Sequence, residues 1–258
     1  MAKLISGTRV YGSATVDGAL IAGAGSGFMN LVGFTTGTSV TYSLPSALQY
    51  NGAKFKVTII GAGGSGGGTA ATAGQMGGGG GSAAVVIAYI TVVNSLYILT
   101  YSVAGTTAAG AAGAAGNAGG TSSIIYNSVT YSASGGLGGT LATSVLAGGA
   151  GGTPSPALFA LVNAVGYYGF PGGAGGVMAA TTNVFGGGGH TPLGWGQGGV
   201  MPVTAAGAAG ENGQGYGAGG SGARNGTGAT ARAGGLGAPS GRRRDTGRAH
   251  HGPDILRR

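Results

Sequence analysis

The sequence contains no cysteine and is poor in charged and aromatic residues. Charged residues make up 6% of the 258 positions and aromatic residues 7%, whereas a typical soluble domain is about one quarter charged. Without cysteine the chain forms no disulfides and offers no thiolate ligands, which excludes the small disulfide-stapled class of secreted domain. Few side chains are left to fill a core or to solvate a surface.

Acidic residues and histidines are also scarce, and this weighs against catalysis. Paired carboxylates and Ser-His-Asp sites both need acids or histidines that can meet in the fold. The acids and histidines are Asp17, Glu211, Asp245, Asp254, His190, His250 and His251. No two acids before the C-terminal tail are close in sequence. We therefore predict that the protein is not an enzyme, binds no cofactor and has no metal site.

Glycine takes the place of the missing residue types, at 65 positions. In regular structure each glycine costs about 0.5–1 kcal/mol relative to alanine, because it loses more backbone freedom on folding. A side-chain core in one chain is a poor offset to that cost. The composition leaves open disorder, a fold of closely packed backbones, or an oligomer, and the ordered strand patterns described below favour the last two.

The stretch "FKVTIIGAGGSGGG" carries Gly61, Gly63 and Gly66 at the G-x-G-x-x-G spacing of dinucleotide-binding turns. Such a site also needs a helix after the third glycine and an acid about 20 residues later. The following residues are too rich in glycine for a helix, and no acid lies at that distance. The motif therefore does not predict nucleotide binding.

Runs rich in valine, isoleucine, threonine and tyrosine between Phe34 and Ser134 predict antiparallel strands. The longest apolar stretch, Ala83 to Val103, approaches the length of a membrane span. Its composition and the central Asn94-Ser95 favour two strands joined as a β-hairpin. Asp17-Gly18 is a turn signal within residues 1–33, where we predict a small β module.

From Gly135 to Gly235 runs of glycine alternate with short islands that contain aromatic residues. The runs suit extended, polyglycine-like segments packed backbone to backbone, and flexible linkers are the alternative. Aromatic rings flanked by small residues are typical of recognition loops, although such rings also plug small local cores. The candidate receptor-binding residues are Tyr167, Tyr168, Phe170, His190, Trp195 and Tyr216.

The basic residues are concentrated at the C-terminus, where residues 224–258 hold eight arginines and two acids. A nucleic-acid-binding arm is one interpretation of clustered arginines. The segment lacks interleaved aromatic residues, so we predict a solvated basic tail over residues 236–258 and no nucleic-acid partner. The abrupt rise in arginine after Ser240 also leaves open a change of reading frame there.

The order of strands and glycine runs resembles the glycine-rich domain of bacteriophage tail fibres and minor tail proteins, some of which are adhesins. The resemblance rests on "FTTGTSVTYSLPSALQYNGAKFKVTIIGAGGSGGG", "GGGGGSAAVVIAYITV", "LYILTYSVAG", "GNAGGTSSIIYNSVTYSASGG" and "GYGAGGSGA". It covers roughly residues 34–235 and includes no catalytic motif.

The resemblance implies a virion tail component, assembled in the host cytoplasm, whose loops bind a host cell-surface glycan or outer-membrane protein. The expected architecture is all-β, with antiparallel strands and polyglycine-like segments in an intertwined trimer. We expect an attachment or shaft module at 1–33, a tail-fibre domain at 34–235 and the basic tail at 236–258. The alternatives are a structural virion part without host contact and a low-complexity cell-wall protein.

Overall fold

The computed structural model describes residues 14–16, 19–21, 32–72, 74–93, 95–141, 148–155, 164–173, 176–177, 186–200, 207–225 and 230–240. The chain divides into two compact units, Met1–Phe34 and Thr35–Arg258. Within these residues the protein is all-β, with antiparallel pairing throughout and no α-helix. No helix in the described part of the chain is long and apolar enough to cross a membrane.

The first unit contains one described element, a two-stranded antiparallel ribbon. Its strands are β1 (Ala14–Val16) and β2 (Ala19–Ile21), and Val16 pairs with Ala19. Two residues separate the strands, as expected for the Asp17-Gly18 turn signal.

The second unit begins with two β-sheets. Their strands are β3 (Val40–Ser43), β4 (Lys54–Ile60), β6 (Val85–Thr91), β7 (Ile98–Ser102), β8 (Ser122–Tyr126), β9 (Val129–Ala133) and β10 (Ala164–Tyr167). One sheet has the order β3-β7-β8-β9 and the other β10-β6-β4. β8 and β9 form a tight hairpin, in which Asn127 and Ser128 adopt positive φ angles of 48° and 60°.

Shorter strands complete the fold beside the glycine-rich runs. They are β5 (Gln75–Met76), β11 (Gly176–Val177), β12 (Gly196–Gln197), β13 (Gly207–Ala208), β14 (Gln214–Gly215) and β15 (Arg224–Asn225). β11, β5, β15 and β13 form one sheet in that order, and β12 pairs with β14. Two short 3-10 helices lie at Ser46–Leu48 and Pro192–Gly194.

The predicted hairpin across Ala83 to Val103 is wrong. Both strands exist, as β6 and β7, but they belong to different sheets. β6 pairs with β4 and β10, whereas β7 pairs with β3 and β8. The first part of β6 is buried on both faces, because Val86, Ala88 and Ile90 pack in one cluster and Val85 packs in another, so the hydrophobicity of the run reports burial rather than hairpin pairing.

The main core lies between the two sheets, where alternate residues of facing strands pack together. It includes Ile59, Val86, Ile90, Leu99 and Ile124. Phe55 meets Tyr126 edge to face, with ring centroids 5.6 Å apart and an interplanar angle of 83°. The Tyr126 hydroxyl donates to the Leu96 carbonyl at 2.9 Å, which satisfies the polar end of a nearly buried ring.

Glycine-rich runs extend directly from these strands and form what we call the glycine block. Its five best-connected segments are the first (residues 61–69), second (77–84), third (134–140), fourth (217–223) and fifth (232–240). The first continues β4 and the second leads into β6, while the third follows β9. Leu236 to Ser240, assigned from sequence to the basic tail, belong to the fifth segment, in which Ala238 and Ser240 are buried.

The second segment shows how the block is bonded, because its amides point to three neighbours in turn. Every third amide donates to the same neighbouring segment, at distances of 2.7–3.1 Å. The amides of residues 77, 80 and 83 donate to the carbonyls of Ala223, Gly220 and Gly217, respectively. Those of residues 78, 81 and 84 donate to Thr140, Leu137 and Ser134, and those of residues 79 and 82 donate to Gly173 and Phe170. Its carbonyls accept from three further runs, at Gly64 and Gly67, at Gly149 and Gly152, and at Gly189.

These bonds define two ends of the block. At the sheet end the segments meet the two β-sheets, because Ala84 bonds to Ser134 and Ala83 to Gly217. At the opposite end, which we call the loop end, Gly77 bonds to Ala223 and Thr69 bonds to Arg232. The first, second, fourth and fifth segments therefore each have one end at the loop end.

The block excludes side chains from most of its interior. A Cβ added at Gly63, Gly66 or Gly80 would lie well inside van der Waals contact with a neighbouring backbone carbonyl. Only a residue without a side chain allows the segments to approach this closely. The glycine content therefore has a structural reason in the described residues, where backbone packs against backbone.

Four serines in the block make the same reciprocal pair of hydrogen bonds, which we call a serine clamp. In each, the serine amide donates to a partner's carbonyl at 2.8–3.1 Å, and the partner's amide donates back to the serine Oγ at 2.7–2.8 Å. The serine–partner pairs are Ser65–Asn117, Ser82–Phe170, Ser134–Thr153 and Ser221–Glu211. The hydroxyl thus acts as an additional acceptor where two segments meet.

Candidate functional site

The outer face of the β10-β6-β4 sheet carries an aromatic and aliphatic surface. On this face Lys56 pairs with Tyr89, and its Nζ lies 5.9 Å from the centre of the tyrosine ring. Tyr89 is 52% exposed and Val165 on β10 is 51% exposed. Strand alternation produces this arrangement, since the residues between them face the main core.

Three of the predicted aromatic residues meet at the sheet end of the glycine block. Tyr167, Trp195 and Tyr216 are partly buried and pack against a small cluster formed by Ile60, Ala83 and Val85. Tyr167 lies on β10 opposite Val85, so it belongs to a strand rather than a loop. Each of the three rings is therefore held in place by packing against this small cluster.

Backbone bonds fix the two loop segments that carry Trp195 and Tyr216. The Tyr216 amide donates to the Trp195 carbonyl at 3.1 Å, and β12 pairs with β14 immediately beside it. The Thr191 hydroxyl donates to the Tyr216 carbonyl. This pairing brings together two residues that are 21 positions apart in the sequence.

Tyr168 and Phe170 follow β10, and the side chains of both are well exposed. Their exposed fractions are 62% and 56%. The Phe170 main chain is nevertheless held by the serine clamp at Ser82. A fixed backbone with a projecting ring suits a contact surface, because little conformational freedom is lost when the ring is covered.

His190 is exposed and lies near the same end of the block. Its Nδ1 accepts a hydrogen bond from the Gly198 amide at 3.3 Å, and the preceding Gly189 amide donates to Gly80. Among the described residues no group of three or more histidine, cysteine or acidic side chains is placed to hold a metal ion.

Comparison with known protein families found a match for most of the chain. A family model described as a glycine-rich domain matches residues 34–253. The chain belongs to this glycine-rich domain family. The match spans both sheets and the glycine block of the second unit. No curated protein matches the chain significantly.

Sequence reasoning did not assign two arginines to this glycine-rich domain. Arg224 and Arg232 were counted with the basic tail, but both lie in the described block, at its loop end. Residues 233–241, which contain no charged side chain, separate them from the run beginning at Arg242. That separation, together with the neutral residues around each arginine, is the sequence signal that could have assigned Arg224 and Arg232 to the glycine-rich domain rather than to the tail.

Proposed function

We propose that the protein is a tail-fibre or tail-tip structural component of a bacteriophage that presents residues for binding a host receptor. The observation that carries the proposal is a set of aromatic side chains, two of them well exposed, on segments that are hydrogen-bonded to the backbone of the glycine block. The order of strands and glycine runs, which resembles phage tail-fibre domains, supplies the biological setting.

We infer that the glycine block is a polyglycine-like lattice. A repeat of three residues in the direction of the amides is the period of the extended polyproline II helix, which has no internal hydrogen bonds. Each such segment must bond to neighbours, and glycine alone leaves room for them. Segments that each bond to several neighbours suit a structural part of a particle.

The proposed receptor-binding residues are Tyr167, Tyr168, Phe170, His190, Trp195 and Tyr216, and the proposed ligand is a host surface glycan or outer-membrane protein. Flat rings stack on the apolar faces of sugars and fill pockets in proteins. In this proposal the protein resides in the virion tail after assembly in the host cytoplasm, contacts other tail proteins, and has no catalytic, cofactor-dependent or nucleic-acid-binding role.

A binding assay on bacterial cells tests the receptor proposal. Purified full-length protein, labelled with a fluorophore, is applied to a panel of bacterial strains and bound protein is measured by flow cytometry. We expect Tyr168→Ala and Phe170→Ala to reduce binding to a responsive strain by about tenfold, as for aromatic residues at binding hot spots. Both side chains are exposed, so we expect their truncation to leave the fold intact, and a thermal melt checks this.

Tyr50→Ala is the matched control, because Tyr50 is 59% exposed and lies outside the proposed set. Trp195→Ala and Tyr167→Ala extend the test to the partly buried rings. Equal binding by all four variants and the wild type would remove these residues from the receptor site. Absence of binding to every strain would contradict host recognition.

A structural virion part without host contact is the second candidate. The burial of Tyr167, Trp195 and Tyr216 against the small cluster favours it, since rings that fill a local core need no ligand. In a reconstruction of the phage particle, this candidate requires the outer face of the β10-β6-β4 sheet to be covered by neighbouring subunits. A face open to solvent at the tail tip would instead favour receptor binding.

A further inference from the structure

The outer face of the β10-β6-β4 sheet runs without interruption from the aromatic residues at the sheet end to two lysines. Four successive rows of paired residues form this face, from Ile60 opposite Val85 to Lys54 opposite Thr91. Successive rows are two residues apart along each strand, or about 6.7 Å, so the face is about 20 Å long. We call this face the outer strip.

Burial decreases along the outer strip. Trp195 and Tyr216 pack against the cluster that includes Ile60 and Val85, so the first row is covered. In the other rows Tyr89 and Val165 are 52% and 51% exposed. Lys54, Lys56 and Thr58 on β4 are also exposed. A ligand can therefore reach this part of the strip directly from solvent, without a cavity.

The exposed part of the outer strip is positively charged. Lys54 and Lys56 are the only lysines after Lys3, and none of the seven strands of the two sheets contains an acid. Glu211 is the only acid between residues 34 and 240, and it bonds to Ser221 in the glycine block. Ammonium groups donate charge-assisted hydrogen bonds to carboxylates and phosphates. The strip is therefore complementary to an anionic partner.

The size of the outer strip favours a single extended chain as this partner. Three strands enclose two gaps of about 4.8 Å, so the strip is about 10 Å wide. Its area is therefore about 200 Å², whereas each partner in a stable protein–protein interface buries about 800 Å². A linear polymer lying along the strip needs no larger surface.

Lys56 and Tyr89 indicate which polymer fits. The Lys56 Nζ lies 5.9 Å from the centre of the Tyr89 ring, so a unit that contacts the ring must carry the anionic group itself. A uronic acid meets this requirement, because its carboxylate is bonded to the sugar ring, whereas a phosphodiester links two units. Nucleic-acid binding depends on many phosphate contacts, and two lysines offer few of them.

We propose that the outer strip binds a linear polysaccharide that contains uronic acids. Tyr89 and Val165 contact the apolar faces of the sugars. Lys54 and Lys56 donate charge-assisted hydrogen bonds to the carboxylates. The receptor set named above contains none of these four residues. The two lysines select acidic over neutral glycans.

This inference rests on the proposed function for the source of the polysaccharide, a bacterial surface. Oligosaccharide binding is measured on purified components, so the two proposals can fail separately. Binding of an oligosaccharide without binding to any strain would support the outer strip and contradict host recognition. Binding to cells that depends on Tyr168 and Phe170 but not on the lysines would do the reverse.

Isothermal titration calorimetry of the full-length protein provides the test. The probes are oligogalacturonate and oligomannuronate, and the methyl ester of each is its matched control, because the ester keeps the sugar chain and removes the charge. We expect at least one of the two acids to bind, and its ester to bind about fivefold more weakly or less. Added sodium chloride should weaken binding of the acid and hardly affect the ester.

Replacing both lysines tests the selection of acidic glycans. The double variant Lys54→Gln with Lys56→Gln should bind the acid about fivefold more weakly and should no longer distinguish the acid from its ester. The double variant Lys54→Arg with Lys56→Arg keeps the positive charge and should retain most of the affinity. Both lysines are exposed, so we expect unchanged melting temperatures.

Tyr89→Ala tests the contact with the sugar. We expect it to weaken binding of the acid and of its ester by about tenfold alike, because the ring contacts the sugar and not the carboxylate. Tyr50→Ala, which truncates another exposed tyrosine, is the matched control. A lower melting temperature of Tyr89→Ala with unchanged affinity would assign the ring a structural role and overturn its place in the site.

The basic tail and other anionic polymers provide the remaining controls. Replacing Arg242, Arg243 and Arg244 with glutamine should leave most of the affinity, and loss of binding in this variant alone would assign the attraction to the tail. Poly(glycerol phosphate) and oligothymidylate should bind more weakly than the oligouronate. Equal or tighter binding of either polymer would overturn the proposal, as would equal binding of acid and ester or no binding of either acid.

Discussion

At the scale of single residues, the loss of stability caused by a glycine-to-alanine substitution depends on whether the position is closely packed within the glycine block. Gly66→Ala places a Cβ against the Ser221 carbonyl, and neither backbone is free to retreat because both are bonded to further segments. We expect a loss of roughly 3 kcal/mol, at the upper end of overpacking effects. This corresponds to a melting temperature about 6–12 °C lower, measured by circular dichroism.

Gly105→Ala is the matched control for this prediction. Gly105 is exposed, and a Cβ there meets nothing within 4 Å. Alanine reduces the freedom of the unfolded chain, so the change should be neutral or stabilise by about 0.4–1 kcal/mol. Equal destabilisation by both substitutions would show that the close approach of backbones at Gly66 is not what requires glycine.

A second residue-scale prediction concerns alkaline pH. Burial, and to a smaller degree the neighbouring Tyr126, raise the pKa of Tyr131 above its usual value of 10.0. The neutral form is therefore favoured in the folded protein. Its stabilising contribution is complete below about pH 10 and is lost as the pH rises through the raised pKa.

Tyr131→Phe should remove this contribution. We expect the free energy of unfolding of the variant, measured by urea titration, to fall less steeply than that of the wild type above pH 10. Tyr50→Phe, at an exposed position, provides the comparison. Identical slopes for Tyr131→Phe and the wild type would contradict the assignment.

At the scale of elements, the serine clamps join segments that are far apart in sequence. Ser82 and Phe170 are 88 positions apart, and Ser65 and Asn117 are 52 positions apart. Ser65→Ala leaves the Asn117 amide without the Oγ acceptor while adding no bulk. We expect a loss of about 1–3 kcal/mol and faster hydrogen exchange at the Asn117 amide, measured by NMR.

Ser43→Ala is the control, because Ser43 is exposed on β3. It should change the stability by less than about 0.5 kcal/mol, as surface substitutions usually do. Unchanged exchange at Asn117 in Ser65→Ala would mean that the hydroxyl does not hold that junction.

The positions of the strands were easier to predict from the sequence than the pairing between strands. Alternation and turn residues located β4, β6 and β7, since both signals are local, but the sequence did not predict that residues 122–133 form the two strands of the β8–β9 hairpin. The pairing of β6 with β10 joins residues about 80 positions apart, and the intervening glycine runs contain no periodic signal. The aromatic residues could be identified as candidates, but their meeting at Ile60 depends on the same long-range bonds.

At the scale of the whole molecule, the open sheet edges bear on assembly. Among the described residues, β3 and β4 each pair on one side only. Unpaired edges are sites where another chain can add a strand, and β4 presents alternate residues of the main core next to its edge. We propose that neighbouring chains cover these edges in the trimer that the resemblance to tail-fibre domains implies.

Sedimentation velocity distinguishes the trimer from its alternatives. We expect a species of three times the 24.1 kDa chain mass, with a melting temperature that falls on dilution because dissociation is linked to unfolding. A compact monomer whose melting temperature is independent of concentration would contradict the trimer. Such a monomer would also show that the backbone bonds of one glycine block are sufficient to offset the conformational entropy of its glycines.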